Sequence, residues 1–289
     1  MIRVAIIGST GQLGTDLVKV LNESRQYQVF PIGHERIECS HLASVQKALE
    51  EVHPEVVVNC AAFVRVDECE DKPEEAFRVN ALGALCVARC CTERGALCVY
   101  ISTDYVFDGD KLLSYTEDDI PHPVNVYGIS KLAGEYLVQQ ACPRWLIVRM
   151  ASLFGKAGAR GKGGNFIETI LSKARTGDQL KVVNDIRMSP TYTLDAARAL
   201  ERLLQQEASG LFHLTNQGNC SWYEFARQAL ELAGIPYNMQ PVASVDYPAR
   251  ARRPVNSALT SVRLDDAVLK CLRPWDEALR AYMIEKGYL

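Results

Sequence analysis

No apolar run in the 289-residue chain is long enough to cross a bilayer, and the opening MIRVAIIGSTGQLG is broken by glycine too early for a secretory leader. The ten cysteines include no C-x-x-C pair, and no paired cysteine or histidine has the spacing of a structural zinc site, so no metal is assigned. Most of those cysteines sit inside apolar stretches, the pattern of reduced, buried thiols in a cytoplasmic protein. Basic excess is also missing. Thirty-two Lys and Arg face thirty-five Asp and Glu, a net charge of −3, which excludes the electrostatic footprint of a nucleic-acid binder. There is no internal repeat and no low-complexity segment. What is present is ordinary globular composition, 48% hydrophobic and 23% charged, at a length that suits about two structural units.

Short β-branched runs recur with helical patterns between them: RVAII at 3–7, QVFPI at 28–32, EVVVNC at 55–60, LCVYIS at 97–102 and LIVRM at 146–150. Strands alternating with helices predict a doubly wound parallel α/β sheet, and near-continuous apolar runs predict strands covered on both faces. Leu13, Leu17, Val20 and Leu21 form the stripe of a helix lying on that sheet. After Met150 the pattern changes. A glycine-rich, cationic stretch at 156–165 reads as a loop or a crossing, and SWYEFARQALELAG reads as a helix with a serine cap and a glycine stop. The strand and helix at 190–217 are expected to rejoin the first sheet. This divides the chain into a dinucleotide-binding domain, 1–150 with 190–217, and a smaller, interrupted C-terminal lobe, 151–189 with 218–289, for substrate.

Gly8-Ser9-Thr10-Gly11-Gln12-Leu13-Gly14 follows a strand and opens a helix, so its glycines would let the backbone approach a pyrophosphate at the helix N-terminus. The spacing is G-x-x-G-x-x-G, which departs from the dehydrogenase form G-x-G-x-x-G. The second predicted strand ends in Gly33-His34-Glu35-Arg36. Arg36 and His34 favour the 2′-phosphate of NADP, whereas Glu35 would suit the ribose of NAD; NADP(H) is preferred and NAD(H) stays open.

Tyr127 and Lys131 form Y-x-x-x-K, a spacing that puts both side chains on one helix face. Alone the pattern is weak, but it gains weight beside a dinucleotide loop and beside ISTDYVF at a sheet end. Reducing a carbonyl with a nicotinamide hydride leaves negative charge on oxygen, which needs a proton donor in reach. A phenol holds its proton tightly, and a neighbouring ammonium loosens it. Tyr127 is thus the expected donor, Lys131 the charge, and Thr103 a second hydroxyl on the same oxygen.

With Asn59-Cys60-Ala61-Ala62 and STDYVFDG added, these motifs resemble the extended short-chain dehydrogenase/reductases. VDECE at 66–70, NVYGISKLAGE, SPTYT at 189–193 and RPVNSAL at 253–259 make the chain similar to the dTDP-4-dehydrorhamnose reductase family over nearly its whole length. The resemblance implies a Rossmann sheet and NAD(P)H-dependent reduction of the C4 ketone of a nucleotide-linked 6-deoxyhexose, with Thr103, Tyr127 and Lys131 catalytic. It implies Gly8, Ser9, Thr10, Gly11, Gln12 and Leu13 around the pyrophosphate. Arg36, Glu38 and Cys39 would lie on the adenine side, Cys60, Ala61 and Ala62 against the cofactor, and Asn80 in support. Asp104, Tyr105, Ser152, Asn165 and Arg253 would face the sugar nucleotide, with anchoring an equal alternative for Arg253. A homodimer is compatible with it; nucleic acid and membrane are not expected partners.

Three departures bear on the sugar and the cofactor. Arg149-Met150-Ala151-Ser152 stands where the family commonly reads RTSW, Val64 replaces a usual threonine, and Glu38 a usual aspartate. Related dehydratases carry Asp-Glu after the threonine; here Asp104 is followed by Tyr105, which favours reduction over elimination. The chain also resembles the regulatory beta subunit of methionine adenosyltransferase, and under that alternative it would bind NADP and a partner enzyme without turning over a sugar; another sugar-nucleotide reductase or epimerase of the superfamily is the remaining alternative.

Overall fold

Six short segments, five of them carrying β-branched residues, assemble into one parallel sheet in the computed structural model, which describes residues 1–158, 164–247 and 249–289. The strands are β1 (Ile2–Ile7), β2 (Tyr27–Ile32), β3 (Val56–Asn59), β4 (Leu97–Thr103), β5 (Trp145–Met150) and a late segment, Gly210–His213. Their spatial order is Gly210–His213, β5, β4, β3, β1, β2. Ile7 pairs with both Ile32 and Asn59, Asn59 with Tyr100, and Thr103 with Met150, so these residues share the carboxyl edge. The chain leaves β1 in one direction and returns to β3 in the other. That reversal is the topological switch point where open α/β sheets leave a crevice for ligand.

Alternate residues of each strand feed separate cores. Val4, Ile6, Val58, Val99 and Val148 pack with α1 (Gln12–Glu23) on one face. Ala5, Ile7, Val57, Tyr100 and Ile147 pack on the other with α2 (Leu42–Glu50), α5 (Gly83–Arg94) and α6 (Val126–Ala141). Burial of both faces is why these strands read as unbroken apolar runs. Between β3 and α5 lie α3 (Val66–Asp71), α4 (Pro73–Phe77) and one π-helical turn, Arg78–Leu82.

Beyond β5 the chain builds α7 (Phe166–Arg175), α8 (Thr193–Gln205) and α9 (Trp222–Leu232). α8 lies against α1, and Gly210–His213 pairs with β5. Three small strand pairs complete the region: Leu153–Phe154 with Thr191–Tyr192, Gln179–Val183 with Asn238–Val242, and Arg187–Met188 with Cys220–Ser221. α9 opens on a capping box between Ser221 and Glu224. Phe154, Tyr192, Phe225 and Tyr282 belong to the same apolar cluster as Val4 and Leu17, so one core runs without a break from the sheet into this region. Of the 156–165 stretch, 159–163 lies outside the described residues. All ten cysteines are free thiols, and seven are buried. Among the described residues no helix is long and apolar enough to cross a membrane.

Candidate active site

A cavity of about 1130 Å³ opens along the carboxyl edge of the sheet, between the loops after β1, β3, β4 and β5 and the region carrying α7 and α9. At its floor the chain turns sharply from β1 into α1. Gly8 has a left-handed φ of 76°, and a Cβ there would lie 3.1 Å from the Ala61 nitrogen. A Cβ on Gly14 would fall 2.3 Å from the Gly8 carbonyl oxygen, so only glycine lets the helix pack this closely on the turn. No side chain caps α1, and its first-turn N–H groups and positive dipole end face the cavity. Thr10, Gly11, Gln12 and Leu13 line it, and Gln12 Nε2 donates to the Leu153 carbonyl at 2.9 Å. Ser9 does not: it is buried, its N–H donates to the Ile32 carbonyl, and it holds the turn rather than facing a ligand.

Toward the open end the lining is His34, Ile37, Glu38, Cys39, Glu75 and Arg78. Arg36 is not part of it. Its guanidinium forms an exposed ion pair with Glu51 at 3.1 Å. The cation there is Arg78, from the π-helical turn, whose Nη1 donates to Ser40 Oγ at 2.9 Å beside Glu38 at 3.9 Å. Glu38 accepts from the Ser40 hydroxyl and N–H, which holds its carboxyl below the usual range. Arg78 was invisible to motif reading because it approaches from a different crossover; its only sequence mark is its place two residues before Asn80.

Thr103 ends β4, and Asn125 caps α6 by accepting the Gly128 N–H at 2.8 Å, which starts the helix so that Tyr127 and Lys131 turn toward Thr103. All three line the cavity. Lys131 is 2% exposed; its Nζ donates to the Ile101 carbonyl at 2.6 Å and lies 4.0 Å from the centre of the Tyr100 ring. Burial brings its amine down to about 7, against the opposing pull of Glu135. Burial likewise pushes the Tyr127 phenol above its ordinary range, and the Thr103 hydroxyl offsets this only in part. Burial thus favours the protonated phenol in this site. The Thr103 hydroxyl donates to Asp104 Oδ1 at 2.9 Å, and burial raises the Asp104 carboxyl to about 6.

Cys60, Ala61 and Ala62 line the wall after β3, and burial pushes the Cys60 thiol up to about 12. Asn80 lies behind that wall. It accepts from the Phe63 N–H at 2.8 Å and donates to the Phe63 carbonyl and to Ser130 Oγ, bracing the wall against α6.

On the opposite side the cavity meets Val64, Asp104, Tyr105, Ser152 and Arg253. Ser152 has a left-handed φ of 43°. Arg253 holds Asp67 through two bonds, at 3.0 and 2.9 Å, which lowers the Asp67 carboxyl to about 2. Anchoring and lining thus coexist in Arg253. Asn165 lines the cavity, but its polar atoms are committed: Oδ1 caps α7 through the Glu168 N–H, and Nδ2 donates to Gly155 O and Tyr282 OH. Its part is corrected from ligand contact to wall support. Sequence reading missed Phe166 and Trp222, whose ring centroids are 4.7 Å apart on the same wall. They restore aromatic surface to a cavity that lacks the tryptophan expected after β5.

An uncapped helix N-terminus, glycines at closest approach, small residues after β3 and a cation at the open end fit a dinucleotide phosphate. The RmlD substrate binding domain family model matches residues 2–287. The chain is 37% identical to the spore coat polysaccharide biosynthesis protein SpsK of Bacillus subtilis over 99% of both chains. It is 32% identical to the dTDP-4-dehydrorhamnose reductase of Escherichia coli over 98% of this chain and 97% of that one. Among solved structures, the dTDP-4-dehydrorhamnose reductase of Bacillus anthracis in complex with NADP superposes with a TM-score of 0.91 at 35% identity, over 99% of this chain and 100% of that one. A Thermus thermophilus UDP-glucose 4-epimerase, at 21% identity and a TM-score of 0.83, shares the fold. The motifs, the switch-point cavity and these relatives agree, and the chain belongs to the dTDP-4-dehydrorhamnose reductase family.

Proposed function

We propose that this protein reduces the C4 ketone of a nucleotide-linked 6-deoxyhexose with NADPH. The observation that carries the reading is the meeting of Thr103, Tyr127 and Lys131 in a cavity that begins at the Gly8–Gly14 turn. Family membership and the NADP complex of a 35%-identical relative support the cofactor. Residues 1–150 with 190–217 would bind the dinucleotide, and 151–189 with 218–289 would bind substrate. Ten free thiols suit a reducing cytoplasm.

When bound, NADPH supplies a hydride. Gly8, Thr10, Gly11, Gln12 and Leu13 would hold its pyrophosphate, Ala61 and Ala62 would flank it, and Arg78 would meet the 2′-phosphate. Tyr127, protonated at neutral pH, gives its proton to the carbonyl oxygen as charge develops there. Thr103, whose hydroxyl donates to Asp104, would turn that proton to the carbonyl oxygen and fix its position. Lys131 places its amine at the base of the same site. Asp104, Tyr105, Ser152 and Arg253 contact the sugar nucleotide, with Trp222 and Phe166 closing the far wall.

The test is NADPH oxidation by the purified protein with dTDP-4-keto-6-deoxy sugars, followed by identification of the sugar product. Stoichiometric oxidation with a new C4 hydroxyl supports the reading. NADPH that binds and is never consumed, with a synthetase co-purifying, would replace it by a cofactor-binding regulatory role.

A further inference from the structure

One turn beyond Lys131 on α6, Glu135 is buried with 1% of its surface exposed. Arg149 of β5 grips it in a planar fork, Nε to Oε1 at 2.9 Å and Nη2 to Oε2 at 2.7 Å, and Ser102 Oγ donates to Oε1 at 2.5 Å. Arg149 itself is 2% exposed and lies 5.2 Å from the centre of the Phe107 ring. Two charges taken this far from water add little or nothing to stability compared with apolar residues of the same volume. The pair's placement suggests a different use. Lys and Glu four apart on a helix are natural partners, and a buried carboxylate takes whatever cation it can reach. Yet Lys131 Nζ donates to the Ile101 carbonyl, while the carboxylate of Glu135 is committed to Arg149 and Ser102.

We infer that Arg149 and Glu135 are positioning residues for Lys131: Arg149 occupies the Glu135 carboxylate so that the Lys131 amine stays at the Ile101 carbonyl and the cavity. The Ser102 bond adds to this by locking the strand segment that carries Ile101 and Thr103 to the helix that carries Lys131. Titratable groups around the amine are Glu135 on α6, Tyr100 on β4 and Cys60 after β3, with Arg149 behind Glu135. The inference rests on the reading that Lys131 serves a nicotinamide site, and its test measures NADPH binding apart from sugar turnover.

NADPH affinity is titrated by fluorescence from pH 6 to 9 for wild type, Arg149→Met and the double variant Glu135→Met/Arg149→Met. Replacing both members of a buried pair by apolar side chains of similar size generally preserves the fold. With Arg149 gone, Glu135 captures Lys131: affinity falls about tenfold, and the pH at which it is half lost moves up. With both gone, affinity returns to within about threefold of wild type, and that pH moves below the wild-type value because Glu135 no longer favours the ammonium. A role confined to stability moves neither midpoint. Wild-type affinity in the single variant, or a double variant as weak as the single, overturns the proposal. If Arg149→Met does not fold, the double variant decides alone, since an unchanged midpoint contradicts the account. A wild-type chain that binds no NADPH removes the cofactor reading and this proposal with it.

Discussion

The two sides of the cavity are built by different means. On the side of the β1–α1 turn the walls are backbone: glycines at contact distance, an uncapped helix end, and the Ala61–Phe63 segment braced by Asn80. On the side of α7 and α9 the walls are side chains drawn from distant segments: Tyr105, Ser152, Phe166, Trp222 and Arg253. A backbone wall tolerates almost no change in residue type yet says little about which ligand it holds. A side-chain wall tolerates substitution and sets the substrate. Tyr127 and Lys131 lie between the two, on a helix fixed by Asn125 and Asn80.

The largest expected effect comes from that junction. Tyr127→Phe removes the proton donor and should lower kcat by about a hundredfold or more while NADPH affinity stays within about twofold, checked by steady-state kinetics beside a binding titration. Gly14→Ala attacks the backbone side. Its Cβ must displace the Gly8 carbonyl, and NADPH affinity should fall about thirtyfold with a stability loss of about 1–3 kcal/mol in thermal melts.

On the side-chain wall, Arg253→Met should raise KM for the sugar nucleotide about tenfold and leave NADPH affinity unchanged. The same variant has a pH signature. Arg253 holds the Asp67 carboxyl at about 2, below its unfolded value, so the pair's stabilisation is full above the unfolded pKa and is lost as pH falls toward 2. Acid unfolding of wild type and variant should therefore converge at the low end. Equal loss of NADPH affinity in Arg253→Met would erase the distinction between the two sides. The smallest effects sharpen it at the open end: Arg78→Ala should weaken NADPH about fivefold and NADH less, and Arg36→Ala should change neither by more than about twofold.

These differences also explain what could be read from sequence. The sheet strands are legible because burial on both faces writes them as unbroken apolar runs, and the turn at Gly8 because its geometry admits few residues. Tyr127 and Lys131 are legible because helical spacing alone brings them together. Arg36 is less legible, because chemistry at a strand end does not say which way a long side chain swings; here it pairs with Glu51. Arg78 and Trp222 stayed hidden for the complementary reason, since only the tertiary fold carries them to the cavity. The burial that lowers the Lys131 amine is hidden for the same reason, since a sequence shows only neighbours along a helix.

The central claim is that hydride reaches the sugar carbon while Tyr127 supplies the proton. Incubating the protein with NADPH deuterated at the transferring position and a dTDP-4-keto-6-deoxy sugar tests it directly, with product read by NMR. The account predicts deuterium at sugar C4 with wild type and almost none with Tyr127→Phe, although both proteins bind the cofactor. Label at another carbon, full transfer by the variant, or bound cofactor that never yields its label would contradict it.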